Sequence, residues 1–241
     1  MSESIRLSKA VVALKGCSRR EAELYIEGGW VLVDGVVVEQ PQFAIDSQKV
    51  ELLPDAKPEP IEPVTFLLHK RAGEICDPET QHTAQWLTAA DQVIEHTAPA
   101  PRMLRRHFQK LAAPLPLDRD ASGLLVLTQD GSVARQLTDQ GKPLEQEYVV
   151  DVTGTIAAEG LVRLNEKTDA GPWAPPPCKV SWQNETRLRF AGKQIDAARI
   201  RQMCGKVGLQ ATAVRRIRIG RIAMSGLMPG QWRYLVASKR F

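Results

Sequence analysis

Between Ala197 and Phe241 the chain has no aspartate and no glutamate, although it holds 28 acids in its 241 residues. Ten of its 32 Lys and Arg fall in that stretch, so the net charge of +4 is made of +10 there and −6 over the other 196 residues. Cysteine is scarce as well. Cys17, Cys76, Cys178 and Cys204 show no Cys-x-x-Cys spacing and no histidine at a ligand interval, which argues against a zinc site or a disulfide framework and for the reduced thiols of cytoplasm. No apolar run near the N-terminus is long enough for a signal peptide or a membrane span. A helix-turn-helix recognition pattern and a dimer seam are missing too, which disfavours a DNA-binding regulator. The expectation is a soluble, cytoplasmic, monomeric protein without metal or cofactor.

What is present is clustered positive charge. Arg215, Arg216, Arg218 and Arg221 stand within seven positions. A second cluster, Arg6, Lys9, Lys15, Arg19 and Arg20, and a third, Arg102, Arg105, Arg106 and Lys110, contain no acid. Crowded like charges repel, and a chain that keeps them usually neutralises them with a polyanion. A solvated face is the plain alternative for any one run.

The stretch "LLPDAKPEPIEPVTF" holds Pro54, Pro58, Pro60 and Pro63. Proline removes amide donors and restricts the residue before it, so residues 54–63 read as a semi-rigid linker. Ahead of it, residues 1–53 predict a small domain. Ile5, Leu7, Val11, Val12 and Leu14 recur at helical spacing, Gly16 stops that helix, and Ser18 with Glu21 forms a capping box for a second one. Asp34-Gly35 between two apolar runs is a strong hairpin signal. Residues 64–241 predict strands at "VTFLLHK", "SGLLVLTQDG", "QEYVVDVTG", "PCKVSW" and "TRLRFAG", and a helix from about Ala197 to Val207. Strands outnumber helices and no βαβ repeat is visible, so the class is α+β: a small αα-plus-hairpin domain, then a mixed, mainly antiparallel sheet.

The chemical candidate lies in "PLDRDASGLLVLTQDG". Asp118 and Asp120 precede a small-residue turn, Ala121-Ser122-Gly123, that feeds a buried strand. A carboxylate so placed is held on a rigid sheet edge, as a nucleophile or base needs, although capping a turn is an equally common use of Asp.

Two resemblances enter here. "RLSKAVVALKGCSRREAELYIEGGWVLVDGVVV" resembles the RNA-binding module named after ribosomal protein S4, in which the two helices and their basic residues grip structured RNA. That implies RNA contacts for Arg6, Lys9, Arg19 and Arg20. "LDRDASGLLVLTQDG" resembles the signature loop of the bacterial RNA pseudouridine synthases, in the branch that carries an S4-like module. "LLHKRAG" is similar to that family's Asn-Lys-Pro-x-Gly loop, "EQEYVV" to its Lys-x-Tyr segment, and the region from "ARIRQM" to "WRYL" to its long C-terminal motif. Within the branch, "CSRREAELYIE" and "RQMCGKVG" are closest to a member that acts on large-subunit ribosomal RNA and also on a tRNA.

The resemblance implies Asp118 as the catalytic carboxylate, Arg201 as its partner and Tyr148 as a ring stacking on the target uracil. It implies a backbone contact to RNA for Lys70, with Arg215, Arg216 and Arg218 holding phosphates around the mouth of the site. The expected partner is ribosomal RNA or a tRNA stem-loop. Three departures stand out: Leu115-Pro116 replaces the usual Gly-Arg, Arg71 the usual Pro, and Gln146 the usual Lys. In a related branch the lost arginine enters the RNA stack, a role that Arg119, Arg105 or Arg106 would have to assume. The Leu-Pro pair also leaves open a second reading, a catalytically retired RNA-binding protein.

Overall fold

The computed structural model describes residues 4–76, 81–94, 101–166, 178–236 and 241. Pro177 of the "PCKVSW" strand and the basic pair Lys239-Arg240 lie outside the described residues. The chain forms two compact units. One is Met1–Pro63 together with Pro101–Gln109, and the other is Val64–Ala100 with Lys110–Phe241. The linker stretch carries neither helix nor strand. Residues 101–109, assigned from sequence to the second domain, pack with the first.

In the first unit β1 (Ile5–Arg6) leads into α1 (Leu7–Lys15), which ends at Gly16 in a left-handed conformation with φ +64°. The α2 helix (Arg19–Glu27) opens with the capping box: the Ser18 hydroxyl accepts from the Glu21 amide at 3.2 Å, and the Ser18 amide donates to the Glu21 carboxylate at 2.8 Å. Two otherwise unpaired donors are thereby satisfied. Strands β2 (Val31–Val33) and β3 (Val36–Val37) turn at Asp34-Gly35, both with positive φ, as the hairpin dipeptide requires. β4 (Ala44–Ile45) pairs with β1, and β5 (Val50–Leu52) makes the hairpin three-stranded. Leu7, Val11, Ala22, Ile26, Val31, Val33 and Ile45 form the core of this unit.

The second unit is built on an eight-stranded sheet. Its strands are β6 (Thr65–Lys70), β7 (Ala121–Thr128), β8 (Glu145–Gly154), β9 (Cys178–Asn184), β10 (Arg187–Lys193), β11 (Leu209–Ile219), β12 (Ile222–Ala223) and β13 (Trp232–Tyr234). The order is β13-β6-β7-β11-β8-β10-β9, with β12 beside β11. Every pairing is antiparallel except β7 with β11, so the sheet is mixed and mainly antiparallel. Helices α3 (Gly131–Thr138), α4 (Gly160–Asn165) and α5 (Ala197–Lys206) belong to the same unit.

β6 and β7 lie mid-sheet and read as nearly unbroken apolar runs because both of their faces are covered. One apolar cluster joins α5, through Ile200 and Met203, to Tyr148, Val150, Leu188 and Phe190. Another gathers Leu67, Leu124, Val126, Leu137 and Ile219. In register, Lys70 at the end of β6 faces Gly123 near the start of β7, and Gly123 faces Arg216 of β11. The Asp118 turn therefore leaves the sheet where three strands meet.

Gly123 makes that junction possible. Its φ is +105°, and a Cβ there would lie 2.1 Å from the Arg216 carbonyl oxygen. Both the backbone conformation and the space exclude a side chain. Gly123→Ala is expected to cost at least ~2 kcal/mol in urea unfolding followed by circular dichroism; a midpoint unchanged from wild type would contradict this account of the junction.

Candidate active site

Asp118 begins a tight turn: the Ala121 amide donates to the Asp118 carbonyl at 3.1 Å, and the Gly73 amide donates to the Arg119 carbonyl at 2.8 Å. Leu117, just before it, is buried, while the Asp118 carboxylate is about half exposed, at 47%. Backbone and side chain are thus treated differently. The backbone is clamped and the carboxylate faces outward.

The clamp is Lys70. Its side chain is completely buried, and the Nζ donates to the carbonyls of Ala121 at 2.8 Å, Arg71 at 3.0 Å, and Asp118 and Arg119 at 3.1 Å each. Three N–H groups share four acceptors. Burial holds the amine below its usual pKa, opposed by Glu74, Cys76, Asp118 and Asp120. The reading of Lys70 as an RNA contact is therefore corrected: the ammonium faces protein carbonyls and not solvent.

Arg201 projects from α5, whose first turn is capped by the Asp196 carboxylate accepting from the Arg199 amide at 2.8 Å. Its Nη1 lies 3.5 Å from Asp118 Oδ2, with both side chains partly exposed. A pair so open contributes at most ~1 kcal/mol to stability. Its use is directional, setting a cation beside the one carboxylate oxygen.

Tyr148 of β8 sits between Arg216 and Phe190 in register. Only 1% of it is exposed, so the expectation of a ready stacking platform is corrected: no ring face is open. Its hydroxyl lies 3.0 Å from Gln146 Oε1 and 3.2 Å from the Ile195 carbonyl, both acceptors. Burial raises its pKa, with Arg216 opposing and Asp196 and Asp118 reinforcing. The phenol stays protonated at neutral pH.

Arg216 is equally hidden. Its Nε donates to the Leu124 carbonyl at 2.8 Å, one Nη to Gln146 Oε1 at 3.1 Å and the other to the Leu115 carbonyl at 2.7 Å. It is a structural cation, not the phosphate contact expected. Arg218 is likewise committed to Glu145, Glu147 and the Gly220 carbonyl, and the bonds from Arg218, then Arg189, hold Glu147 below the usual carboxylate range against the effect of its burial. Arg215 is half-buried, its Nε without a partner among the described residues.

Two further expected contacts are placed elsewhere. The Arg105 amide donates to the Glu39 carboxylate at 2.7 Å, and Arg106 pairs with Glu27 at 2.5 Å, all within the first unit. Of the three considered for the vacated arginine role, Arg119 belongs to the same unit as Asp118 and is exposed next to it in the chain. Arg6, Lys9, Arg19 and Arg20 are exposed on the first unit, and the first three line a cavity of about 360 Å³ with Ser8 and Val12.

Sequence reasoning marked Gln146 only as a departure from the family pattern and missed its role. Its Oε1 accepts from both Arg216 and Tyr148, and two-residue periodicity along a strand, which places it on the same face as Tyr148, is a signal that could have found that role. The Arg71 replacement also has a local reason. The Arg71 amide, which proline lacks, donates to Glu74 at 3.0 Å, and the guanidinium rests on bare Gly230, where a Cβ would lie 1.9 Å from Nη2.

A family model described as RNA pseudouridylate synthase matches residues 64–212, and one described as S4 domain matches residues 5–50. The chain is similar to the dual-specificity RNA pseudouridine synthase RluF of Escherichia coli (strain K12), 27% identical over 236 residues that cover 96% of this chain and 76% of that one. An uncharacterized RNA pseudouridine synthase of Aquifex aeolicus (strain VF5) is also 27% identical, covering 96% of this chain and 92% of its own. A solved pseudouridylate synthase structure superposes with a TM-score of 0.60 at 20% identity, over 98% of this chain and 97% of that one, which shows a shared fold. Since the synthase model spans well over half of the residues, the chain belongs to the RNA pseudouridylate synthases, isomerases acting on RNA, and carries an S4 domain ahead of the synthase domain.

Proposed function

We propose that this enzyme isomerises one specific uridine in 23S ribosomal RNA, in a tRNA, or in both, with Asp118 as the catalytic carboxylate. The observation that carries the reading is the half-exposed Asp118 carboxylate beside Arg201, on a turn whose backbone Lys70 holds. The substrate classes are those that the resemblance of the sequence motifs implies; the names of the relatives add RNA and, for RluF, dual specificity.

The reaction needs no redox change. The N1–C1′ bond breaks with its electron pair leaving on uracil, the base turns, C5 bonds to C1′, and the C5 proton is lost while N1 takes one up, so the product is an isomer of the substrate. A carboxylate suffices to start it, by attack on C1′ or by removing the C2′ proton to give a glycal. The cation at Arg201, 3.5 Å from one oxygen of the Asp118 carboxylate, serves to orient it. Reaching a uridine in structured RNA requires extruding it, at a few kcal/mol. Exposed Arg6, Lys9, Arg19 and Arg20 on the S4 domain are the phosphate contacts that offset this cost, with Arg119 and Arg215 on the synthase domain. A retired, binding-only protein would have no use for an outward carboxylate with an oriented cation.

Asp118→Asn preserves the shape and removes the charge. It is expected to lower turnover by ~10³-fold or more, read by carbodiimide-based pseudouridine mapping of total rRNA and tRNA from cells lacking the gene and complemented with each form. A single modified position restored only by wild type identifies the substrate; modification restored equally by the variant removes Asp118 from the mechanism.

Lys70→Met leaves the turn carbonyls without their donor and frees the Asp118 backbone. A misplacement of about 1 Å is enough for a ~10²-fold loss in kcat. Lys70→Arg is not expected to rescue it, because a planar fork cannot aim its donors at carbonyls gathered around one point. Steady-state kinetics in which Lys70→Met changes KM alone would refute the clamp.

A further inference from the structure

Residues Pro101–Gln109 lie in the chain between β6 and β7, inside the synthase sequence, and yet pack with Met1–Pro63. The docking is dense. Arg102 lies over the Trp30 ring, 3.9 Å from its centroid, and its Nη1 donates to the Gly29 carbonyl at 2.5 Å. Leu104 is only 7% exposed, and its Cδ2 lies 3.0 Å from where a Cβ on Gly29 would be. Gly29 has φ +67°, so the bare backbone both permits the left-handed turn after α2 and leaves the space that Leu104 fills. At the C-terminal side the Arg105 amide and the Arg106 guanidinium engage Glu39 and Glu27.

These contacts are of different kinds and span one surface. An apolar plug is flanked by a cation over an aromatic ring on one side and by charge-assisted bonds on the other. The arginines of this segment looked like RNA ligands in the sequence. Arg102 and Arg106 instead hold protein groups.

We propose that Pro101–Gln109 is a strap through which the synthase part of the chain completes and retains the S4 domain, with Arg102 and Leu104 as its anchors. The S4 domain is then a two-segment domain, connected at the proline-rich linker and at both ends of the strap. A domain tethered by a linker alone would be kept near only by an effective concentration set by linker length. The strap removes that dependence, and RNA held by Arg6, Lys9, Arg19 and Arg20 stays with the enzyme by direct docking. Arg102 and Leu104 are in this sense positioning residues for substrate capture, a consequence that rests on the synthase reading above.

The test uses the full chain with a site-specific protease sequence in place of residues 56–60, cleaved after purification and run by gel filtration. The nicked wild type is expected to elute as one species containing both fragments. The nicked Arg102→Ala/Leu104→Ala variant is expected to separate, with Leu104→Met restoring co-elution. The core of the first unit, from Leu7 to Ile45, contains neither anchor, so the uncut double variant should keep its circular dichroism. If it does not, Arg102→Ala alone, at an exposed side chain, should raise the fragments' dissociation constant about fivefold. Separation of the nicked wild type, or undiminished co-elution of the variants, overturns the strap. In the uncut double variant KM for RNA should rise with kcat unchanged. No turnover in either protein would count against the synthase reading, while the elution result would still decide the strap.

Discussion

A single buried ammonium organises the site. Lys70 has no exposed surface, and removing such an ion from water costs several kcal/mol unless its donors are met. Here they are met by carbonyls of Arg71, Asp118, Arg119 and Ala121. The attraction acts on the main chain and leaves the Asp118 side chain outside. A second cation, Arg201, then addresses the carboxylate from α5. One positive charge therefore sets where the turn lies and another sets where its oxygen points. The two functions come from opposite ends of the synthase sequence, Lys70 from β6 and Arg201 from α5.

What was legible in the sequence was mostly local. The Ser18–Glu21 box and the Asp34-Gly35 hairpin depend on residues within a few positions of one another, and each is where its chemistry placed it; the proline stretch carries neither helix nor strand. The apolar runs of β6 and β7 were equally plain, since burial on both faces leaves no room for polar alternation. Lys70 was not legible in its true role. Lysine is so seldom fully buried that a loop lysine in an RNA enzyme reads as a phosphate contact, and only the four carbonyls, three of them about fifty residues away, reverse that reading. Residues 101–109 misled for the same reason. Their partners Gly29, Trp30, Glu27 and Glu39 lie more than sixty positions earlier.

The acid-free C-terminal stretch shows how far linear charge can differ from spatial charge. Arg218 has no acid near it in sequence, but antiparallel pairing brings β8 alongside with Glu147 opposite it, and Glu145 completes the pair. Arg216 pairs with no acid among the described residues and needs none, because three neutral oxygens take its donors. Much of the apparent polyanion-binding charge is thus spent inside the sheet. The positive surface open to RNA shifts toward Arg6, Lys9, Arg19 and Arg20 of the S4 domain, where Arg19 and Arg20 remain mostly exposed even with Glu23 nearby.

The departures from the family pattern are coupled to their surroundings. Arg71 brings an amide for Glu74 and a guanidinium that only Gly230 accommodates. Gln146 gives Arg216 and Tyr148 a common acceptor, which a lysine, having donors only, could not provide. With Lys at that position the buried guanidinium would face a second cation and the buried phenol would keep only the Ile195 carbonyl. Leu115 enters the same network through its carbonyl, an atom that its side chain does not alter. Arg216 therefore tolerates the Leu-Pro replacement while Gln146 is fixed by it, and the arrangement around Tyr148 is kept by acceptors facing one buried arginine rather than by the residues the family pattern would supply.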